Sequence, residues 1–305
     1  MYNKESAGKL INDTINSFME SAEDLIEFSR WVSANSYNYT LRNSILIRSQ
    51  NLGAVCCQSK YAWEKAGYHV KDEESRNGAQ VFVPMKKKFV EISEGEWKPL
   101  SDLTKAEKAK YKENAFNVRS KLCFGFGFTF DISQTDCPAE EYNKFVSRGM
   151  ASVKHADAWA ALKRYTEQCG IPVYDGDDET AIHGAGLFGF CLHGENGEEV
   201  HLAKTLEDTQ KLSVGGHEIG HALMHGGKCK KSAAQKEVEA DIFSILINTH
   251  FGVEIEETRK RHLKSHFEKL EFDEETRNKE LTNMVNGVFD VYKKYIAEVD
   301  KLIAA

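Results

Sequence analysis

The chain has 305 residues, of which 41% are apolar and 29% charged, with seven cysteines and a formal net charge of −7. That length permits two compact domains with sizeable cores, no uninterrupted apolar run of about 18 residues is present to span a membrane, and the odd, scattered cysteines are no disulfide framework. The acidic balance excludes a generally basic nucleic-acid binder, yet residues 1–135 carry 19 Lys and Arg against 17 Asp and Glu while the remainder carries 21 against 30, so the N-terminal half is the better host for a polyanion.

The opening MYNKESAGKLINDTINSF lacks the basic-then-apolar order of a secretory signal and reads as an amphipathic helix. With its unpaired cysteines the chain is expected in the cytoplasm. Apolar residues at three- and four-residue steps continue the helical pattern through INDTINSFMESAEDLIEFSRWV. After the polar break SANSYNY, the pattern resumes in TLRNSILIRSQ and in the short SKYAWEKAG, closed by Gly67. GAQVFVPMKKKFVEI predicts two strands around Pro84, with the lysines at a hairpin tip. TKAEKAKYKENAF predicts an exposed charged helix or insertion, and KLCFGFGFTFDIS a strand. The pattern changes at QTDCPAEE, where Pro138 begins a new element, so domains are expected at 1–135 and 136–305. The second opens with the helix KHADAWAALKRYTEQCG, for which Gly170 suits a C-cap. Strands GLFGFCLHG and EEVHLA follow, then the SVGGHEIGHALMHGG helix, the KEVEADIFSILINTHFG helix and two more. The fold class is α+β: a helix-rich N-terminal domain with a small sheet, then a second domain of helices and a small sheet.

The chemistry concentrates in the histidine helix. Residues i and i+4 share a helical face, so His217 and His221 can aim two imidazoles at one metal. Glu218 lies about 100° round, within reach of a water held there. This is H-E-x-x-H, the logic of a zinc hydrolase. A catalytic zinc has three protein ligands and one open position. In the next helix Glu237 and Asp241 share a face, so Glu237 can ligate while Asp241 orients a ligand histidine; Glu239 lies on another side. His225 continues the stripe, but a straight helix carries it ~6 Å beyond His221, so a supporting role behind the ligands is expected rather than ligation. His183, His193 and His201 either polarise a substrate carbonyl or are ordinary surface histidines.

HEIGHALMH followed by EVEADIFS resembles the zincin-like metallopeptidases, specifically the ImmA/IrrE group, over about residues 183–253. The resemblance implies a mixed sheet packed on the histidine helix and one zinc per chain held by His217, His221 and Glu237. It also implies Glu218 as the catalytic acid/base of peptide-bond hydrolysis, acting on a particular protein or peptide partner. EEVHLA would be a strand near the cleft, to which an extended peptide could add.

SANSYNYTLRNSILIRSQ, AWEKAGYHV and FGFTFDISQT resemble the N-terminal domain of the ArdC-type antirestriction proteins over about residues 23–135, with an insertion near 93–115. Tyr39, Asn43, Gln50, Trp63, Gly67, Pro84, Phe130, Asp131, Gln134 and Thr135 occur in the order of that family's pattern. The resemblance implies single-stranded DNA binding and a role on a plasmid, phage or other mobile element. Single-strand binders combine basic side chains with aromatic stacking platforms; Tyr37, Tyr39, Arg42, Arg48, Trp63, Lys86, Lys87 and Lys88 offer both types. The same aromatics at helical spacing also suit a core, and a lysine triplet also suits a solvated hairpin tip. KDEESRNG places acidic residues where the family tends to have lysines. Three readings follow: a zinc metallopeptidase with a recognition domain, an antirestriction-type DNA-binding protein whose zinc is structural or vestigial, or an interaction protein with accidental motifs. Glu218 separates the first two, because a structural zinc needs no glutamate there.

Overall fold

The computed structural model describes residues 2–35, 39–113, 116–145, 150, 153–177, 188–195, 197–227 and 229–304, without the side chains of residues 34, 35, 143 and 177. His183 and Tyr37 therefore lie outside the described residues.

The first helical stretch divides into α1 (Lys4–Glu20) and α2 (Ala22–Asn35) at Ser21, whose backbone is extended. Asn3 begins α1 with a reciprocal capping box to Ser6. Helix α3 (Leu41–Gln50) is capped by Thr40, and α4 (Lys60–Lys65) by Ser59. Gly67 then reverses the chain at φ 90°.

Strands β1 (Cys57–Gln58), β2 (Ala79–Ser93), β3 (Glu96–Pro99) and β4 (Val118–Asp131) form an antiparallel sheet ordered β1-β4-β2-β3. Residues 79–93 are one strand, not two strands around Pro84, and the lysines lie within it rather than at a tip. The reason is the edge that Pro84 occupies. Gln80 and Phe82 turn their N–H groups away from β4 toward α3, where Gln50 Oε1 accepts from Gln80 at 2.9 Å and Asn43 Oδ1 from Phe82 at 2.9 Å. The same amides donate back to the carbonyls of Gln80 and Phe82, both at 2.9 Å. Pro84 continues that alternation, so its missing N–H falls on the edge away from β4 and the Pro84↔Phe124 register is kept. The β2–β3 hairpin turns instead at Gly95, φ 76°. The charged helix α5 (Lys105–Lys112) lies between β3 and β4.

The C-terminal half comprises α6 (His155–Gln168), β5 (Val173–Asp177), β6 (Gly189–Gly194), β7 (Gly197–Ala203), α7 (Asp208–Met224), α8 (Ala233–His250), α9 (Glu257–Phe267) and α10 (Arg277–Ala304). Its sheet is mixed, ordered β5-β7-β6, with β5 parallel and β6 antiparallel to β7. Helix α7 packs on β6 and β7, so the fold is the expected α+β. EEVHLA forms β7, the central strand. Its backbone is paired on both sides, so a peptide cannot add there; among the described residues the edges of this sheet are β5 and β6.

One hydrophobic core crosses the 135/136 boundary. Phe18, Leu25 and Phe28 of the N-terminal helices belong to the same buried cluster as Phe243, Ile247 and Phe289 of α8 and α10, and the Phe28 and Phe289 rings lie 5.8 Å apart. A smaller cluster of Trp63, Val70, Phe130, Ile132 and Cys137 sits at the end of the first sheet. Among the described residues no helix is long and apolar enough to cross a membrane.

Candidate metal centre

Glycines let α7 lie close to its neighbours. A Cβ on Gly215 would come within 2.4 Å of the Trp159 ring of α6, and one on Gly220 within 3.2 Å of Ala240 Cα on α8. The second approach carries the first turns of α8 across the histidine stripe. His217 Nε2 lies 3.1 Å from His221 Nε2, and Glu237 places one oxygen 3.3 Å from the former and the other 3.5 Å from the latter. Potential donor atoms of these three side chains all lie within 4.8 Å of one another.

Each imidazole is held from behind. Asp241, fully buried, has Oδ1 3.0 Å from His217 Nδ1 and 2.8 Å from Arg259 Nη1. His225 Nδ1 lies 3.0 Å from His221 Nδ1, while its Nε2 lies 2.8 Å from Glu239. Glu239 also accepts from Lys231 at 2.6 Å. The tautomer set that suits a metal has Nδ1–H of His217 donating to Asp241, with Arg259 Nη1, which also lies 2.9 Å from that nitrogen, giving its hydrogen to the carboxylate. Nδ1–H of His221 then donates to His225, and Nε2–H of His225 to Glu239. Both Nε2 lone pairs of the HExxH pair then face Glu237. Two unprotonated imidazole nitrogens and a carboxylate with its partners already in place fit a divalent cation.

The electrostatics mark the cluster as one that favours positive charge: a proton sits on His217 at neutral pH, and a metal ion binding there would displace it. Burial pulls the His217 imidazole down, but its bonds to Asp241 and Glu237 carry it up to about 9. Burial pushes both carboxyls up, and the imidazoles more than reverse this, holding Glu237 and Asp241 well below the carboxylate range. Glu218 is different. Buried, and with no hydrogen-bond partner among the described residues, its carboxyl is raised by desolvation.

Elsewhere the sequence candidates separate. His193 bonds Glu198, its cross-strand partner, and His201 is stacked between Tyr174 and Phe190, each ring 4.7 Å away. Trp63 is 0% exposed and donates its indole N–H to Phe130 O at 2.8 Å. Tyr39 is part-buried, its hydroxyl 2.6 Å from Thr129 Oγ1 and donating to Cys57 O at 3.0 Å, and burial pushes it up to about 12. Both belong to the scaffold rather than to a base-stacking surface. Arg48 is tied to Glu27 at 2.7 Å and sits over Phe28. Arg42, Lys86, Lys87 and Lys88 are exposed. Most of the ordered ArdC-like pattern has a structural reason: Asn43 and Gln50 close the edge of β2, Trp63 and Tyr39 fasten β4, and Asp131 accepts from Val55 and Cys56 N–H at 2.6 and 2.8 Å.

Sequence reasoning missed Arg259, His262 and His266, all on α9. His262 Nδ1 lies 2.6 Å from the second oxygen of Asp241. The signal was available as a second H-x-x-x-H spacing, but nothing local ties it to a helix 21 residues upstream. Beside Arg259 and His262 a cavity of ≈ 360 Å³ is lined by Phe188, Leu206 and Val214.

The fold and this cluster together define a peptidase-like domain suited to a divalent metal. Residues 179–272 match the Peptidase M78 family, the IrrE N-terminal-like domain. Over 97% of its length the chain superposes on the metal-free crystal structure of the antirestriction protein ArdC from the R388 plasmid, covering 98% of that chain with a TM-score of 0.50 at 12% identity. The Mn(II)-bound structure of that ArdC matches with the same score and coverage at 10% identity. An uncharacterised protein of Bacillus anthracis is 26% identical over 99% of this chain, which spans 52%, about half, of that relative's length. Both resemblances carried by the sequence motifs are thus met, the IrrE-like domain in the C-terminal half and the ArdC fold over the whole chain.

Proposed function

We propose that the protein is a zinc-dependent metallopeptidase that cleaves a particular protein partner. The observation that carries this is the convergence of His217, His221 and Glu237, with the desolvated Glu218 next to them in sequence. His217, His221 and Glu237 would hold the zinc, which when bound would supply a Lewis acid able to bring the pKa of water down to about 7. Glu218 takes the proton of the attacking water and returns it to the leaving amine, and its burial favours that protonated state. Asp241 and His225 keep the two imidazoles aimed. An extended peptide pairs along β6, and the cavity beside Arg259 receives one of its side chains.

The test is elemental analysis of the purified protein. About one tightly held zinc per chain is expected, as in the usual three-ligand site. It is lost in Glu237→Ala and kept, more weakly, in Glu239→Ala, whereas Glu218→Gln keeps the metal and loses peptidase activity. Absence of stoichiometric metal from every preparation, even after zinc is supplied, removes the peptidase reading.

A second reading, which can hold at once, is single-stranded DNA binding by the first sheet, as the ArdC fold and the mobile-element resemblance suggest. It is favoured by one face of the β2–β4 ribbon. Phe124 is 61% and Phe128 44% exposed, and Leu122, exposed likewise, pairs in register with Lys86. Aromatic platforms flanked by lysines suit a nucleic-acid strand. Fluorescence anisotropy with a labelled oligothymidine should show salt-dependent binding that Phe124→Ala and Lys86→Ala weaken. Undiminished affinity in both variants would exclude this face.

A further inference from the structure

Helix α9 carries its own pair of histidines one turn apart, His262 and His266, and they face the same glutamate as the HExxH pair. His262 Nε2 lies 3.9 Å from Glu237 Oε2, and donor atoms of Glu237, His262 and His266 all fall within 4.8 Å of one another. The two imidazole rings are 4.5 Å apart. We infer that these three side chains form a second divalent-cation site, sharing Glu237 with the first as a bridging carboxylate. This inference rests on the metallopeptidase reading for the identity of the first site.

Two further observations point to a ligand here. The first is Asp241. A metal-ligating histidine normally donates its other ring N–H to a carboxylate or carbonyl. Asp241 places one oxygen 3.0 Å from Nδ1 of His217 and the other 2.6 Å from Nδ1 of His262. One carboxylate therefore orients an imidazole from each pair, and both Nε2 atoms turn toward Glu237. The second is His266, whose Nδ1 is buried and without a hydrogen-bond partner among the described residues. A buried ring nitrogen with no partner is costly unless something else uses it.

The donor set, two imidazoles and a carboxylate, suits zinc, cobalt or manganese rather than calcium or magnesium. The second site is the weaker. The His262 side chain is 41% exposed, against 9% and 11% for His217 and His221, and among the described residues no carboxylate orients His266 as Asp241 orients His262. Occupation is sequential: the first ion fills the HExxH site, and the second adds at higher free metal.

The experiment titrates the metal-stripped full chain with Zn(II) by calorimetry and counts bound metal by elemental analysis after gel filtration in zinc-containing buffer. A parallel Co(II) titration reads the visible d–d bands of each site. Two equivalents are expected, in a tight and a weak phase. His266→Ala and the milder His266→Gln lose the weak phase and keep the tight one, while Glu237→Gln loses the weak phase and disrupts the tight one. Thermal melts of the metal-free variants confirm that each is folded. A single equivalent at saturation overturns the second site and leaves the peptidase reading intact. Two equivalents that persist in both His266 variants also overturn it, since the second ion then sits elsewhere, as does loss of the tight phase with His262→Ala, which makes His262 a ligand of the first ion. No bound metal in any form overturns this inference and the peptidase reading together.

Discussion

Asp241 supports more of the site than its place in the sequence suggests. Fully buried, it takes the guanidinium of Arg259 and an imidazole N–H of His217 on one oxygen and His262 on the other. In Asp241→Asn one of those acceptors becomes an NH₂ donor, so one imidazole loses its orientation. Zinc affinity should fall by about 10–100-fold in a chelator competition; unchanged affinity would show that Asp241 does not set the ligand rings. Lys293 offers a test away from the metal centre. Its Nζ is buried with no hydrogen-bond partner among the described residues, and desolvation pulls the ammonium down to about 8. The charged form is penalised in the folded chain only. Between pH 8 and 10.5 the unfolded chain holds a proton that the folded chain has lost, so this group makes stability rise with pH across that window. Lys293→Met should therefore stabilise by on the order of 2 kcal/mol at neutral pH. The gain should shrink as pH rises through the window, and a gain independent of pH in denaturant titrations would count against a buried charge.

At the scale of elements, helix contacts set the positions of the ligands. Gly215→Ala adds a methyl group 2.4 Å from the Trp159 ring, which is itself held by Asp175 at 2.7 Å. Overpacking of about 1–3 kcal/mol outweighs the gain of up to about 1 kcal/mol from replacing a helical glycine. A lower melting temperature is expected, and an unchanged one would mean that α6 yields freely. Asn43→Ala strands the N–H and C=O of Phe82 and should cost about 1–3 kcal/mol in chemical denaturation. These contacts also show what could be read in advance. His217, Glu218 and His221 were legible because five consecutive residues and one helical period define their geometry, and Glu237 because it opens the next helix. His262 was not, because its role exists only once α9 docks on Asp241. The continuous β2 was hidden because the partner that makes Pro84 harmless is α3, more than thirty residues earlier. Trp63 and Phe124 show the limit of residue type. Both are large aromatics, yet the first is enclosed by α4 and β4 and the second stands on an open face.

At the scale of the whole molecule, the two halves are joined by a common interior. Besides the Phe28–Phe289 contact, Ser33 Oγ of α2 lies 3.3 Å from Tyr292 OH of α10, which lies 3.3 Å from His250 Nδ1 of α8. Residues 136–305 expressed alone would expose the faces of α8 and α10 that α1 and α2 cover. That fragment should bind a hydrophobic dye and lack a cooperative thermal transition; a sharp melt would show that the metal-site half folds by itself. The amide clamp on β2 has a consequence of a different kind, in the order of synthesis. Chains emerge at about 5–20 residues per second, and 24 residues separate the end of β2 at Ser93 from the start of β4 at Val118. For about one to five seconds at that rate, β2 is out of the ribosome before β4 arrives. Helix α3 has emerged earlier, so Asn43 and Gln50 can hold the strand in register from its first residues. Lys86, Lys87 and Lys88 meanwhile place three like charges on the part of the strand that those amides do not reach, which discourages pairing with a neighbouring nascent chain.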